Sequence, residues 1–118
     1  MKSVFGLEEN LASALAYVFG FVSGLIVLIL EKENKTVRFH AIQSILWFLL
    51  IAIIRWVLSA FAGLPLLGWI LGILLTPIFW VLGIVTFVSW VVLIYKAVQG
   101  EAFKIPIIGD VVWNYVNK

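Results

Sequence analysis

The chain has 118 residues, 64% of them hydrophobic and 12% charged, with a formal net charge of +2 and a mean hydropathy of +1.19. Soluble domains carry about 25% charged residues, so this composition excludes an ordinary water-soluble globule and demands lipid around much of the surface. The small positive charge is gathered at segment ends, which excludes a nucleic-acid surface, and the absence of cysteine excludes disulfides and thiolate chemistry.

The opening stretch MKSVFGLEEN sets one lysine before two glutamates, and the small residues ASA precede the apolar run instead of following it. No cleaved leader is therefore expected. From Leu11 to Leu30 no residue is charged. At about 1.5 Å per residue this covers a hydrocarbon layer of roughly 30 Å, which predicts a first span over about 10–30. Along it Ala12, Ala16, Gly20 and Gly24 recur every fourth residue. Such stripes let membrane helices approach closely, either within the chain or against a partner subunit or second copy.

After the polar hinge EKENKTVR, a second uncharged run starts at Phe39 and is interrupted only by Arg55. It predicts a second span over about 39–63, antiparallel to the first. His40, Gln43, Ser44 and Trp47 fall on one face of such a helix, and Arg55 and Ser59 return to it. A polar stripe of this kind should face other helices, because lipid cannot satisfy it. GLPL then punctuates a tight turn, and a third apolar run continues to Tyr95 with Pro77 inside it. A third span over about 66–97, kinked at Pro77, is expected, with Gly68, Gly72 and Thr76 as its small-residue face. Four spans are the alternative, although they would need an uncharged turn within TPIFWVLG. With three, Lys32, Lys35 and Arg38 share a side with Lys96, Lys104 and Lys118. The positive-inside bias then puts the C-terminus in the cytoplasm and the N-terminus outside. The tail IPIIGDVVWNYVNK reads as a short interfacial segment, capped by Asp110, with Trp113 at headgroup depth. The whole chain reads as one all-α transmembrane domain, residues 1–118.

Two polar groupings stand out. Arg55 is expected to reach the Ile73 carbonyl that Pro77 leaves free, the Thr76 hydroxyl, or Glu8 or Glu9; the alternative is that it snorkels to the outer interface. At the other end Arg38, His40 and Gln43 are expected to clasp the exit of the last span. Arg38 and His40 would pair with Glu101, and Gln43 would bond a backbone carbonyl near Gly100. The rival reading makes His40 a titrating or ligand-binding group in a vestibule. One histidine and no cysteine leave a common metal site without ligands, and Ser13, Ser23, Ser44, Ser59 and Ser89 have no base in reach. The expectation is a protein without catalysis, metal or cofactor.

Three pieces, GLEENLASALAYVFGFVSGLIVLILEKENKTVRFHAIQSI, YKAVQGEAFKIPIIGD and the spacing between them, resemble a family of small prokaryotic membrane proteins of unknown function. That family is related to a component of the chloroplast inner-envelope protein-import translocon. RFHAIQS and A-x-x-G-E-x-F-K-x-P carry most of the resemblance, and Phe39, His40, Gln43, Gly100, Glu101 and Pro106 stand at the signature positions. It implies a prokaryotic plasma membrane, membership of a membrane complex and a link to protein translocation or insertion; the plastid relative is described with four spans. Three functions compete. The first is a scaffold or interaction subunit embedded in lipid, with a membrane-protein partner or second copy. The second is an oligomeric channel or carrier lined by Gln43, Ser44, Arg55 and Ser59, and the third is an intramembrane enzyme.

Overall fold

The computed structural model describes residues 8–117. Within them the chain forms α1 (Glu9–Val18), α2 (Phe21–Leu30), α3 (Lys35–Ala62), α4 (Gly68–Val98) and α5 (Ile108–Val116). Lys2 and Lys118 lie outside the described residues.

The first apolar run does not form one helix. It breaks at Phe19 and Gly20, where Gly20 adopts φ +63° and ψ −136°, a conformation that side chains with a Cβ disfavour. The chain then folds back on itself. Gly24 of α2 lies against Ala41 and Ser44 of α3. In a continuous helix ending at Leu30, Tyr17 would sit about 12 Å along the axis from His40. Instead the Tyr17 hydroxyl is 2.7 Å from His40 Nδ1. Ala12 and Ala16 of α1 share one apolar cluster with Val27, Val37 and Ala41, and Asn10 packs on Gly100 beyond the exit of α4. Thus α1 and α2 form a hairpin of two ten-residue helices, each about 15 Å long, that enters from one end of the bundle and returns to it.

This corrects the expected first span. The start of α1 lies at the same end as the exit of α4, so the predicted placement of the two on opposite sides does not hold. Only α3 and α4, among the described residues, are long and apolar enough to cross a membrane. The length and hydropathy of residues 11–30 suit a crossing equally well, and neither property registers a two-residue break.

The Asn34 side chain opens α3 by accepting from the Val37 amide at 3.1 Å, a helix cap. Pro77 neither ends nor divides α4, which runs 31 residues without interruption, so the turn within TPIFWVLG that four spans would need does not form. After Gly100, in the left-handed region at φ +82°, residues 101–107 lead back to α3 as a strap. Then α5 lies on the start of α3, with the Trp113 and Phe39 rings edge to face at 5.3 Å. That helix starts at Ile108 behind Ile107, so Asp110 sits in its first turn and does not cap it. The packing leaves two unlike ends. The charged end gathers the start of α1, the α2–α3 turn, the exit of α4, the strap and α5, while Gly63–Leu67 alone forms the turn end.

Candidate functional site

At the charged end a chain of hydrogen bonds crosses the interior. Gln43 is fully buried. Its Nε2 donates to the Phe103 carbonyl and to the Tyr17 hydroxyl, both at 2.9 Å, and its Oε1 accepts from the Ile105 amide at 2.9 Å. The partners fix the amide's orientation, since a backbone N–H needs an acceptor and a carbonyl needs a donor. Tyr17, accepting from Gln43, is left to donate to His40 Nδ1, and a neutral His40 then carries its proton on Nε2.

Gln43 therefore treats the strap as a neighbouring β-strand would, taking the carbonyl of one residue and the amide of the residue two further on. The close fit depends on Gly109, where a Cβ would stand 2.8 Å from Gln43 Oε1 and would also strike Lys104. The rings of Tyr17 and Phe39 both meet His40 edge-on, at 5.5 Å and 5.1 Å. Tyr17, Gln43 and His40 are 0%, 0% and 2% exposed, so the chain of bonds is enclosed by α1, α3 and the strap.

A second set of side chains closes the tip of the hairpin. The Ser23 hydroxyl bonds the Ala16 and Gly20 carbonyls and accepts from the Phe19 amide at 2.9 Å. Ser44 Oγ donates to the Gly20 carbonyl at 2.9 Å, and Trp90 Nε1 donates to the Val18 carbonyl at 3.1 Å. A broken helix inside a membrane exposes backbone groups that lipid cannot satisfy, and three side chains from three helices supply what the helix does not. Trp47 Nε1 bonds Ser89 Oγ at 2.9 Å just beyond, joining α3 to α4.

Several predicted pairings differ. Glu101 forms its ion pair with Lys96 at 2.9 Å, not with Arg38 or His40, because the end of α4 brings Lys96 to it first. Arg38 Nη1 instead donates to the Glu31 carbonyl at 3.0 Å and ties the α2–α3 turn. Gln43 reaches a carbonyl close to Gly100, that of Phe103. The polar stripe on α3 divides. Gln43 and Ser44 face the hairpin and are bonded to it, whereas Arg55 and Ser59 are exposed on the bundle's outer surface. Arg55 lies over the Phe79 ring at 5.6 Å and makes no hydrogen bond or ion pair among the described residues. It therefore reaches neither the Ile73 carbonyl nor Glu8 or Glu9. Ser59 and Thr76 bond the carbonyls of Arg55 and Gly72 in their own helices.

The small residues have distinct uses. A Cβ on Gly24 would stand 2.9 Å from the Ala41 carbonyl, one on Gly20 would touch Phe48 at 3.6 Å, and one on Gly68 would strike the Ala62 carbonyl. Ala16 is buried inside the hairpin, and Gly72 faces Ala62 with room to spare. All of these contacts are made within the chain.

Tyr17, Phe103, Ile105, Gly109, Ser23 and Trp90 were not singled out by sequence. A tyrosine inside an apolar run is the signal that points to the site, since its hydroxyl needs a partner wherever the run is buried. The break glycine and Ser23, three residues later, mark the tip.

The chain matches the magnetosome magnetite crystal formation protein family over residues 7–112. It is 42% identical over 114 residues to a UPF0132 membrane protein of Methanocaldococcus jannaschii, covering 97% of this chain and 94% of that relative. A UPF0132 membrane protein of Archaeoglobus fulgidus is 42% identical over 106 residues, 89% of this chain and 92% of its own. A second from Methanocaldococcus jannaschii is 36% identical over 110 residues, 93% and 71% of the two chains. No solved structure matches.

Proposed function

Since the chain belongs to the magnetosome magnetite crystal formation protein family and its archaeal relatives are membrane proteins, we propose that it is a non-catalytic scaffold or interaction subunit of a membrane complex. Its setting is the prokaryotic plasma membrane, with the charged end in the cytoplasm. The observation that carries the scaffold reading is the enclosed chain from Phe103 through Gln43 and Tyr17 to His40. Its polar groups are used to hold α1, α3 and the strap together, and a substrate could meet them only after those parts separated. What such a build offers the outside is a rigid charged end and long apolar flanks.

The orientation follows from charge. Lys32, Lys35, Arg38, Lys96 and Lys104 all lie at the charged end, and Arg55 is the one described cation nearer the turn end. Magnetite formation, in the family's description, would ask for iron ligands. No group of three or more His, Asp or Glu that could hold a metal ion occurs among the described residues. Membrane location is carried over from the names of the archaeal relatives, and membership of a complex is this reading's own proposal. The link to translocation or insertion rests on the resemblance of RFHAIQS and A-x-x-G-E-x-F-K-x-P alone.

Two measurements test this reading. Single-cysteine variants Glu9→Cys, Lys32→Cys and Gln99→Cys should label from one face of intact vesicles, and Leu66→Cys from the other; Glu9→Cys labelling with Leu66→Cys would restore a third crossing. Purification of the tagged chain from native membrane in mild detergent should return a partner in fixed stoichiometry, and recovery of a lone monomer at native abundance would remove the subunit role.

A further inference from the structure

Between α3 and α4, near the turn end, a groove of about 430 Å³ opens on the outer surface, lined by Arg55, Phe79, Trp80, Gly83, Ile84 and Phe87. From these observations we infer that it holds one phospholipid of the leaflet at the turn end, with the lipid phosphate on the Arg55 guanidinium and an acyl chain along Gly83 and Phe87.

Depth is the first argument. Arg38 and Lys96 bound the apolar stretches at the charged end. Arg55 lies 17 positions beyond Arg38, and Phe79 lies 17 positions before Lys96. At 1.5 Å per residue both stand about 25 Å from that boundary in a layer of roughly 30 Å, so the Arg55 backbone is about 5 Å short of the far headgroups. An arginine side chain spans that distance, which places its donors among lipid phosphates and its stem in hydrocarbon.

Charge is the second. An exposed guanidinium at this depth, with no hydrogen bond or ion pair among the described residues, needs an anion. The Phe79 face at 5.6 Å steadies the cation but accepts none of its five N–H bonds. A phosphate meets the planar fork with two oxygens at once.

Shape is the third. Phe79, Gly83 and Phe87 are spaced four apart on α4, so the groove descends along the helix for about 12 Å toward the bilayer centre. At Gly83 an added Cβ would meet nothing within 4 Å, and Ile84 and Phe87 are 59% and 63% exposed. The trough thus runs from a cation at headgroup depth into an apolar channel, the order of groups in a phospholipid. A carboxylate from a second copy would match the cation but not the apolar descent below it.

Native mass spectrometry of the full chain tests this, released from vesicles of equal phosphatidylglycerol and phosphatidylcholine. One phosphatidylglycerol per chain should persist. Arg55→Leu should lower its occupancy at least fivefold, Arg55→Lys should keep a reduced fraction, and Gly83→Leu should displace the lipid while leaving the cation in place. Because Arg55 and Gly83 lie away from the packed end, these variants should fold, and a thermal midpoint matching the parent checks it. Equal lipid occupancy in Arg55→Leu and the parent would overturn the site. So would an Arg55-dependent dimer from which lipid is absent, which would assign the groove to a second copy. Either result leaves the cysteine-labelling topology untouched, so failure here is separable from failure of the scaffold reading.

Discussion

At the charged end of α3, Val37, Phe39, His40, Ala41, Gln43 and Ser44 are buried, whereas beyond Ile51 no residue of that helix is. In α4 the contrast is reversed along the chain: Leu93 and Ala97 are buried near its exit, and the stretch from Trp69 to Val92 has no buried member. The same two helices therefore pass from a five-segment bundle into a bare pair. Polar side chains follow the enclosure. Where α1, α2, the strap and α5 surround α3, Gln43, Ser44 and His40 carry specific bonds. Where only lipid surrounds it, Ser59 and Thr76 turn back to their own helices, and Arg55 is left with an aromatic face. A buried hydrogen bond in a membrane requires enough protein around it to exclude the alternatives, and this chain builds that only at one end.

The sharpest way to break the contrast is Gln43→Leu. It leaves the Phe103 carbonyl and the Ile105 amide without partners in a closed interior. At about 1–3 kcal/mol for each orphaned group, the loss should reach about 3 kcal/mol or more, read as a fall in thermal midpoint in detergent. An unchanged midpoint would mean that the strap is not held by this residue. Next is Gly24→Leu, which drives a side chain into the Ala41 carbonyl. It should destabilise by about 2 kcal/mol or more through overpacking and release α2 from α3 to protease. Tyr17→Phe removes one hydroxyl and leaves His40 Nδ1 without its donor. About 1–2 kcal/mol is expected, with hydrogen exchange rising at residues 103–105. Glu101→Gln, which breaks an ion pair whose side chains are 36% and 58% exposed, should change stability by less than about 1 kcal/mol. Smallest of all, Ser59→Ala and Thr76→Ala on the bare pair should each stay within about 0.5 kcal/mol of the parent. If those two matched Gln43→Leu, the two ends would not differ in the way their burial indicates.

Much of this was legible in advance for a definite reason. Lipid exposure is a bulk property, so composition and run length gave the helical class, the α3–α4 pair and the turn at GLPL. Charge position gathered the hinge and the α4 exit at one end, and with them came Gln43 beside the strap. The choice of partners was not legible. Arg38, His40 and Glu101 all lie at the charged end, but packing decided the pairs: Lys96 at the end of α4 takes Glu101, Tyr17 takes His40, and the Glu31 carbonyl takes Arg38.

By itself the sequence determined that this chain lives in a bilayer, that it is helical, and that its charges collect at segment ends, because each of these follows from transfer of side chains between water and hydrocarbon. Only the tertiary structure decided that residues 11–30 turn back at Gly20. Glycine permits the break, yet a straight crossing satisfies more backbone groups internally. The hairpin forms where Ser23, Ser44 and Trp90 converge on the freed carbonyls and Tyr17 finds His40 and Gln43, a convergence that exists only after distant segments have packed.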